Sequence, residues 1–158
     1  MPDRFRELLN RRLVVPLLAL LRQGVTPHEL ALCVALGAVI GMIPILGVST
    51  ALCALVALAW RLNMPAIQLV NYLLTPAQLL LIIPFLRIGE QLTRAPRFPI
   101  SLDAGLALLS HGVFDAVRVL AVAILHATLG WLALAPPIGW TIYRLTVPLL
   151  RRFTPSHA

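Results

Sequence analysis

The sequence predicts an all-α integral membrane protein, and three observations lead to that fold class. Only 12% of the 158 residues are charged, about half the share usual in soluble domains. Three stretches lack any charged residue: Leu30–Trp60, Leu62–Leu86 and Val119–Tyr143. Each reaches the roughly 20 residues that cross a bilayer as a helix. Prolines near their centres, Pro44 and Pro76, interrupt the first two. We therefore expect one membrane domain, 1–158, with two broken or re-entrant helical units.

The first 24 residues are predicted to form an amphipathic helix lying in the membrane interface. One face of the helical wheel is apolar and the opposite face is basic: Phe5, Leu9, Leu13 and Leu20 lie on the first, and Arg4, Arg11 and Arg22 on the second. This pattern is typical of helices that lie flat on anionic headgroups. The apolar segment 13–21 is short and no small-residue cleavage site follows it. A retained helix at 1–24 is therefore favoured over a cleaved signal peptide.

The first broken unit, Leu30–Trp60, is too long for one straight span. As a single helix it would measure about 46 Å, against roughly 30 Å of bilayer hydrocarbon. Pro44 removes a backbone donor and clashes with the preceding turn, so we expect two short helices joined by a break at Pro44–Gly47. Thr26–Glu29 is predicted to cap the start of the first helix. Gly37 and Gly41 are candidate helix-packing positions.

The second unit runs from Asn63 to about Leu92 and is expected to break at Pro76. Polar residues recur along it at helical spacing: Gln68, Asn71, Thr75 and Gln78. Such side chains at membrane depth should point into the bundle. Either they make interhelical hydrogen bonds, or they line a site for a lipid headgroup or solute. With the first break, they give the predicted ligand-binding residues: Pro44, Gly47, Ser49, Thr50, Gln68, Asn71, Thr75 and Gln78.

The last part of the chain is predicted to hold a linker and a hairpin. Residues 93–112 read as a polar linker with a surface helix, and 113–152 as a helical hairpin turning at Ala135–Gly139. Arg144 falls inside the final apolar segment and needs a partner there, with Asp115 a candidate. The terminal arginines favour a cytoplasmic C-terminus. Both termini are expected on the cytoplasmic side of the membrane.

Several function classes are disfavoured by the residue types. The basic excess comes from arginines flanking apolar runs, which is typical of membrane anchoring rather than of nucleic-acid binding. Cys33 and Cys53 fit no metal or redox motif. The chain lacks a phosphate-binding loop and the common hydrolase motifs. We therefore predict no catalytic residue, metal or cofactor. His126, well inside a predicted span, is either a packing residue or a proton relay.

Three motifs in the 26–92 core carry a resemblance to a known family. They are the capped start Thr26-Pro27, a G-x-x-x-G-x-x-P-x-x-G break at Gly37, Gly41, Pro44 and Gly47, and an R-x-N-x-P turn at Arg61, Asn63 and Pro65. On these residues the chain resembles the bacterial DUF2062 family. The family's S-N-P-x-T element is altered, since Asn71–Pro76 keeps the residue types but not the spacing. The resemblance implies a small inner-membrane protein and no particular activity.

The leading functional hypothesis is a non-enzymatic membrane protein that handles lipid or a small solute. Its site would lie where the Pro44 break meets the Gln68–Gln78 face, with membrane lipids as partners. One alternative is a structural subunit that organises a homo-oligomer or a membrane-protein partner, with no ligand. A membrane-embedded enzyme is the least favoured, because no nucleophile–base pair or metal-ligand set is evident.

Overall fold

A computed structural model describes residues 25–45, 47–101 and 113–152, together with positions 15 and 19. All regular structure in those ranges is helical, which confirms the all-α class. The helices are α1 Pro27–Gly41, α2 Val48–Ala59, α3 Met64–Leu73, α4 Thr75–Thr93 and α5 Val113–Arg151. The predicted interfacial helix, apart from two positions, and residues 102–112 of the predicted surface helix lie outside the described ranges.

A complete capping box begins α1, as the sequence predicts. The Glu29 N–H donates to the Thr26 hydroxyl at 3.2 Å, and the Thr26 N–H donates to the Glu29 carboxylate at 3.0 Å. Pro27 occupies the first helical position, where its missing N–H costs nothing. The bonds from the Thr26 backbone and hydroxyl lower the pKa of Glu29. Their stabilisation is fully present above the ordinary pKa of a glutamate and is lost as the pH falls through the lowered value.

Removing this cap gives a small and specific test of the fold. We expect Thr26→Ala to lower the free energy of unfolding by about 0.5–2 kcal/mol, because an N–H of the first turn loses its acceptor. Thr26→Ser keeps the hydroxyl and should stay close to the unchanged chain. Unfolding in mixed micelles titrated with a denaturing detergent measures both variants, and equal losses from them would contradict the capping role.

The chain breaks between α1 and α2 around Pro44, as predicted. α1 ends at Gly41, and α2 begins after Gly47, which has a left-handed φ of 83°. Residues with a side chain rarely adopt that backbone conformation, so glycine suits the turn. The second unit breaks at Leu74, where α3 and α4 meet at a bend of 61°. Pro76 therefore lies in the first turn of α4 instead of at the break itself.

Small residues let the helices approach closely at two places. A Cβ on Gly37 would lie 2.7 Å from the Ile67 carbonyl oxygen, and one on Gly41 would lie 3.1 Å from the Asn71 Cα. These positions therefore bring α1 against α3. At the antiparallel crossing of α4 and α5, a Cβ on Gly89 would overlap the His126 carbonyl, and one on Gly130 the Phe85 carbonyl. Phe85 and Ala127 are buried beside this crossing.

The predicted hairpin over 113–152 is wrong, because α5 continues through Pro136 and Pro137 without a turn. Proline's fixed φ is compatible with a helix, so its penalty is the lost donors and the clash with the preceding turn. Packing along α1 offsets that penalty: Trp131 Nε1 donates to the Val39 carbonyl at 2.9 Å, and Leu150 is buried in the core with α1.

Two further predictions about the C-terminal region change with the hairpin. Asp115 cannot pair with Arg144, since 29 helical residues separate them by about 43 Å. Arg144 instead stacks over Trp140, with its guanidinium carbon 5.5 Å from the ring centroid. This is within the range of a cation–π contact.

By length and composition, Phe114–Arg151 is the one described helix that can cross a membrane alone. α3 and α4 together pass the same test as a bent pair. Only 11% of the most apolar stretch of α5 is buried. Many of its large apolar side chains face outward, among them Phe114, Val117, Leu125, Leu132, Trp140 and Leu145. The core helix of a soluble protein would instead bury such residues.

Candidate functional site

Polar side chains meet at the first break and bond to one another or to its backbone; we name Thr50, Gln68, Asn71 and Gln78 the break cluster. Gln68 Nε2 donates to the Thr50 carbonyl at 2.9 Å. Asn71 Nδ2 donates to the Thr50 hydroxyl at 3.4 Å and to Gln68 Oε1 at 3.2 Å. Gln78 Nε2 donates to the Ile43 carbonyl at 2.6 Å. These contacts tie α3 and α4 to the start of α2 and to the break.

The amides of the break cluster bond to protein groups. Among the described residues, every buried polar side-chain atom has a hydrogen-bond partner. The geometry is that of hydrogen bonds holding the break, one of the two interpretations open from the sequence. Pro44 and Ser49 are buried beside it, while Gly47 is exposed at the turn. Thr75 does not join the cluster, because the bend at Leu74 leaves it exposed at the start of α4.

A cleft lies away from the break, between α4, the segment that follows α4 and the beginning of α5. We name it the charged cleft; its volume is about 490 Å³. Its ionisable lining residues are Glu90, Arg97, Asp115, Arg118 and His126. Apolar groups such as Val119, Val122 and Ala123 form much of the remaining wall. The cleft therefore combines charges of both signs with an apolar surface.

Glu90 fixes one wall of the charged cleft. Its side chain is almost fully buried, and its two oxygens accept from Arg87 Nη1 at 2.8 Å and from the Phe98 N–H at 2.7 Å. The second bond holds residues 95–100 against α4 after the chain turns at Arg94, where φ is 55°. Glu90 is therefore a positioning residue, satisfied by the ion pair and the backbone N–H.

An apolar cleft adjoins the charged cleft and shares Phe98 and Ala123 with it. Its volume is about 220 Å³, and no lining residue has a polar side chain. Pro44 contributes to one end, so this cleft reaches from the first break to the charged cleft. Between them, the two clefts offer charged groups at one end and only hydrocarbon at the other.

The family model for DUF2062, described as an uncharacterized protein conserved in bacteria, matches residues 10–157. The chain belongs to the DUF2062 family. The resemblance drawn from 26–92 is therefore confirmed and extends over nearly the whole chain. No match was found among curated proteins or among solved structures.

His126 of this DUF2062 protein lines the charged cleft and bonds within its own helix. Its Nδ1 lies 2.8 Å from the Val122 carbonyl oxygen. Because a carbonyl can only accept, Nδ1 carries the hydrogen and donates to it. Among the described residues, no group of three or more His, Cys, Asp or Glu could hold a metal ion.

Sequence patterns indicated the charged cleft only weakly. Glu90 and Asp115 lie at segment edges, where carboxylates usually cap helices or face solvent. The spacing of Arg87 and Glu90, one helical turn apart, is the available hint of an ion pair. The contact from Glu90 to Phe98 depends on the left-handed turn at Arg94, a conformation that arginine seldom adopts.

Proposed function

We propose that this DUF2062 protein is a non-enzymatic inner-membrane protein that binds a lipid between α4, α5 and residues 95–100. The observation that carries the proposal is the pair of adjoining clefts with Phe98 and Ala123 at their junction. A lipid has the same two-part chemistry, a charged headgroup joined to hydrocarbon. Pockets that bury such ligands are mostly apolar with a few placed polar groups.

The charge pattern of α5 supports its placement across the bilayer. No charged residue occurs from Val119 to Tyr143, a helical length of about 37 Å against roughly 30 Å of hydrocarbon. Arg118 and Arg144 bracket that stretch. The charged cleft would then lie at the interface near Arg118, and the apolar cleft would extend from it towards the bilayer centre.

Contacts between distant parts of the chain support one orientation for the other helices. Arg151 Nη2 lies 2.6 Å from His28 Nε2, so α1 begins where α5 ends. Cys33 Sγ contacts the Asn63 carbonyl at 3.8 Å, which returns the α2–α3 turn towards the same end. We therefore infer that α1 and α2 form a re-entrant pair, that α3 and α4 cross together, and that α5 crosses back.

The arginine distribution favours a cytoplasmic location for the end that holds His28 and Arg151. Arg61, Arg144, Arg151 and Arg152 would lie on that side, and the segment 1–24, which precedes α1 in the sequence and is predicted from it to lie in the interface, carries five more arginines. Four would lie on the opposite side: Arg87, Arg94, Arg97 and Arg118. Cytoplasmic loops carry such an excess of basic residues. Both termini would then be cytoplasmic, and the charged cleft would face the other side.

A blocking substitution tests lipid binding at the junction of the clefts. Ala123→Phe would place a phenyl ring where the two clefts meet, so we expect the affinity for the phospholipid bound there to fall by roughly tenfold or more, equivalent to about 1.4 kcal/mol. Ala121→Phe is the matched control, because Ala121 is exposed on the same helix and lines neither cleft. Native mass spectrometry of the purified full chain, with phospholipid added back to detergent, counts bound lipids.

The same measurement can contradict the proposal. Equal lipid retention by the unchanged chain, Ala123→Phe and Ala121→Phe would show that bound lipid does not occupy the clefts. Circular dichroism and size-exclusion profiles of the three proteins establish that the comparison is between folded chains.

A further inference from the structure

A third cleft, which we name the α1–α5 groove, lies towards the opposite end of α5 from the charged cleft. Its volume is about 420 Å³, and its walls are almost entirely apolar. One face of α1 forms one side of the groove, with Leu32, Ala35, Leu36 and Val39. The proline-containing part of α5 forms the other side, with Ala135, Pro136, Gly139, Trp140 and Tyr143. The small residues Ala35, Ala135 and Gly139 leave the space that larger side chains would fill.

Basic and aromatic groups gather at one end of the groove. Trp140, which lines the groove, carries the Arg144 guanidinium over its ring. The Tyr143 hydroxyl lies 2.9 Å from His28 Nδ1, and His28 Nε2 lies 2.6 Å from Arg151. Because arginine can only donate, His28 accepts through Nε2, and its Nδ1–H donates to Tyr143. In this arrangement His28 contributes no negative charge beside Arg144 and Arg151.

Few negative charges oppose that basic end in the described chain. Glu29 is the nearest carboxylate along α1, and the Thr26 N–H already occupies it in the capping box. Arg144 and Arg151 are exposed. An apolar groove with exposed arginines and a tryptophan at its mouth is complementary to an acyl chain under an anionic headgroup.

We infer that the α1–α5 groove binds one acyl chain of an anionic phospholipid, whose phosphate is held by Arg144 and Arg151. The inference rests on the membrane placement in the proposed function, and it adds a second lipid site in the cytoplasmic leaflet. That leaflet's anionic lipids attract basic segments at the membrane surface. The chain thus carries one lipid site towards each face of the bilayer, separated along α5.

Photo-crosslinking tests the headgroup preference without any substitution. The full chain is reconstituted in nanodiscs that contain either phosphatidylglycerol or phosphatidylcholine with a diazirine in the acyl chain. We expect crosslinks to peptides of α1 and the 135–143 part of α5 to be several-fold stronger with phosphatidylglycerol. Equal labelling by the two lipids, or no labelling there, would overturn the inference.

Two substitutions with matched controls test the groove and its mouth separately. Ala135→Phe should fill the groove and abolish its crosslinks, whereas Ala133→Phe, exposed on the same helix, should not. Arg144→Gln should weaken phosphatidylglycerol labelling by about fivefold, the effect of one arginine near a membrane surface, and Arg61→Gln should leave it unchanged. Unaltered labelling in both Ala135→Phe and Arg144→Gln would also overturn the inference.

Crosslinks at the charged cleft and at the α1–α5 groove can be compared in one sample, so the two proposed lipid sites are tested separately. Crosslinks to residues 95–100 and 115–126 report on the charged cleft in the same sample. Crosslinks there without labelling of the α1–α5 groove would contradict only the second lipid site. Labelling of the groove alone would refute the cleft proposal and leave the second site standing.

Discussion

Gly89→Ala should push α4 away from α5 and lower the free energy of unfolding. The added Cβ would overlap the His126 carbonyl, which belongs to the backbone of α5 and cannot rotate away. Overpacking of this kind costs about 1–3 kcal/mol and sometimes more. The charged cleft lies beside this crossing, so lipid binding should fall together with stability.

Gly139→Ala is the matched control for the crossing and should have the opposite sign. Its Cβ would meet only the Val39 Cγ2 atom at 3.0 Å, and that side chain can shift. Replacing glycine by alanine in a helix interior gains up to about 1 kcal/mol. Unfolding free energies in mixed micelles compare the two variants. A neutral Gly89→Ala would contradict the close crossing of α4 and α5.

Gln78→Glu should be the most damaging change in the break cluster. The substitution keeps the size of the side chain but replaces the donating amide with a carboxylate that faces the Ile43 carbonyl, 2.6 Å from the present Nε2. Gln78 is 3% exposed, and an ionised carboxylate without a partner is very costly to bury. Keeping the carboxyl protonated so that it can donate to the Ile43 carbonyl costs about 1.4 kcal/mol for each pH unit above its ordinary pKa. We therefore expect a lower free energy of unfolding at neutral pH, and a smaller loss as the pH falls.

Gln78→Leu gives a graded version of the same experiment. It leaves the Ile43 carbonyl without its donor, at a cost of about 1–3 kcal/mol. Gln91→Leu on the same helix is the control, because Gln91 is exposed. If Gln78→Leu and Gln91→Leu unfold alike, the buried bond to the break does not stabilise the fold.

The positions of the helix breaks were predictable because they depend on local backbone chemistry. Pro44 and Gly47 dictate an interruption wherever they fall in a long apolar run. Pro76 indicated the second break to within two residues, since proline also suits the first turn of a helix and here follows the bend at Leu74. The polar spacing of Gln68 and Asn71 likewise predicted that the two side chains would share a face.

The continuous course of α5 was not predictable from the same chemistry. Two adjacent prolines followed by glycine usually mark a turn, yet α5 stays helical because its contacts with α1 extend on both sides of them. Trp131 bonds to Val39 before the prolines, and Leu150 packs in the core after them. These contacts join residues about a hundred positions apart, and local patterns do not reveal them.

The candidate site divides in the same way. The break cluster follows from helical spacing, but the charged cleft requires the turn at Arg94 and the crossing at Gly89, which bring Glu90, Phe98 and Arg118 to one place. Only the tertiary arrangement of α4 and α5 defines that cleft.

Thiol labelling tests whether the charged cleft and the chain's last helical residues lie on opposite sides of the membrane, as we propose. Arg97→Cys and Arg152→Cys would be expressed separately in a bacterial inner membrane and treated with a membrane-impermeant maleimide; Cys33 and Cys53 are buried and should stay unlabelled. We expect this placement to give labelling of Arg97→Cys from the periplasmic side, and of Arg152→Cys only after the membrane is permeabilised. Labelling of both positions from the same side would contradict it.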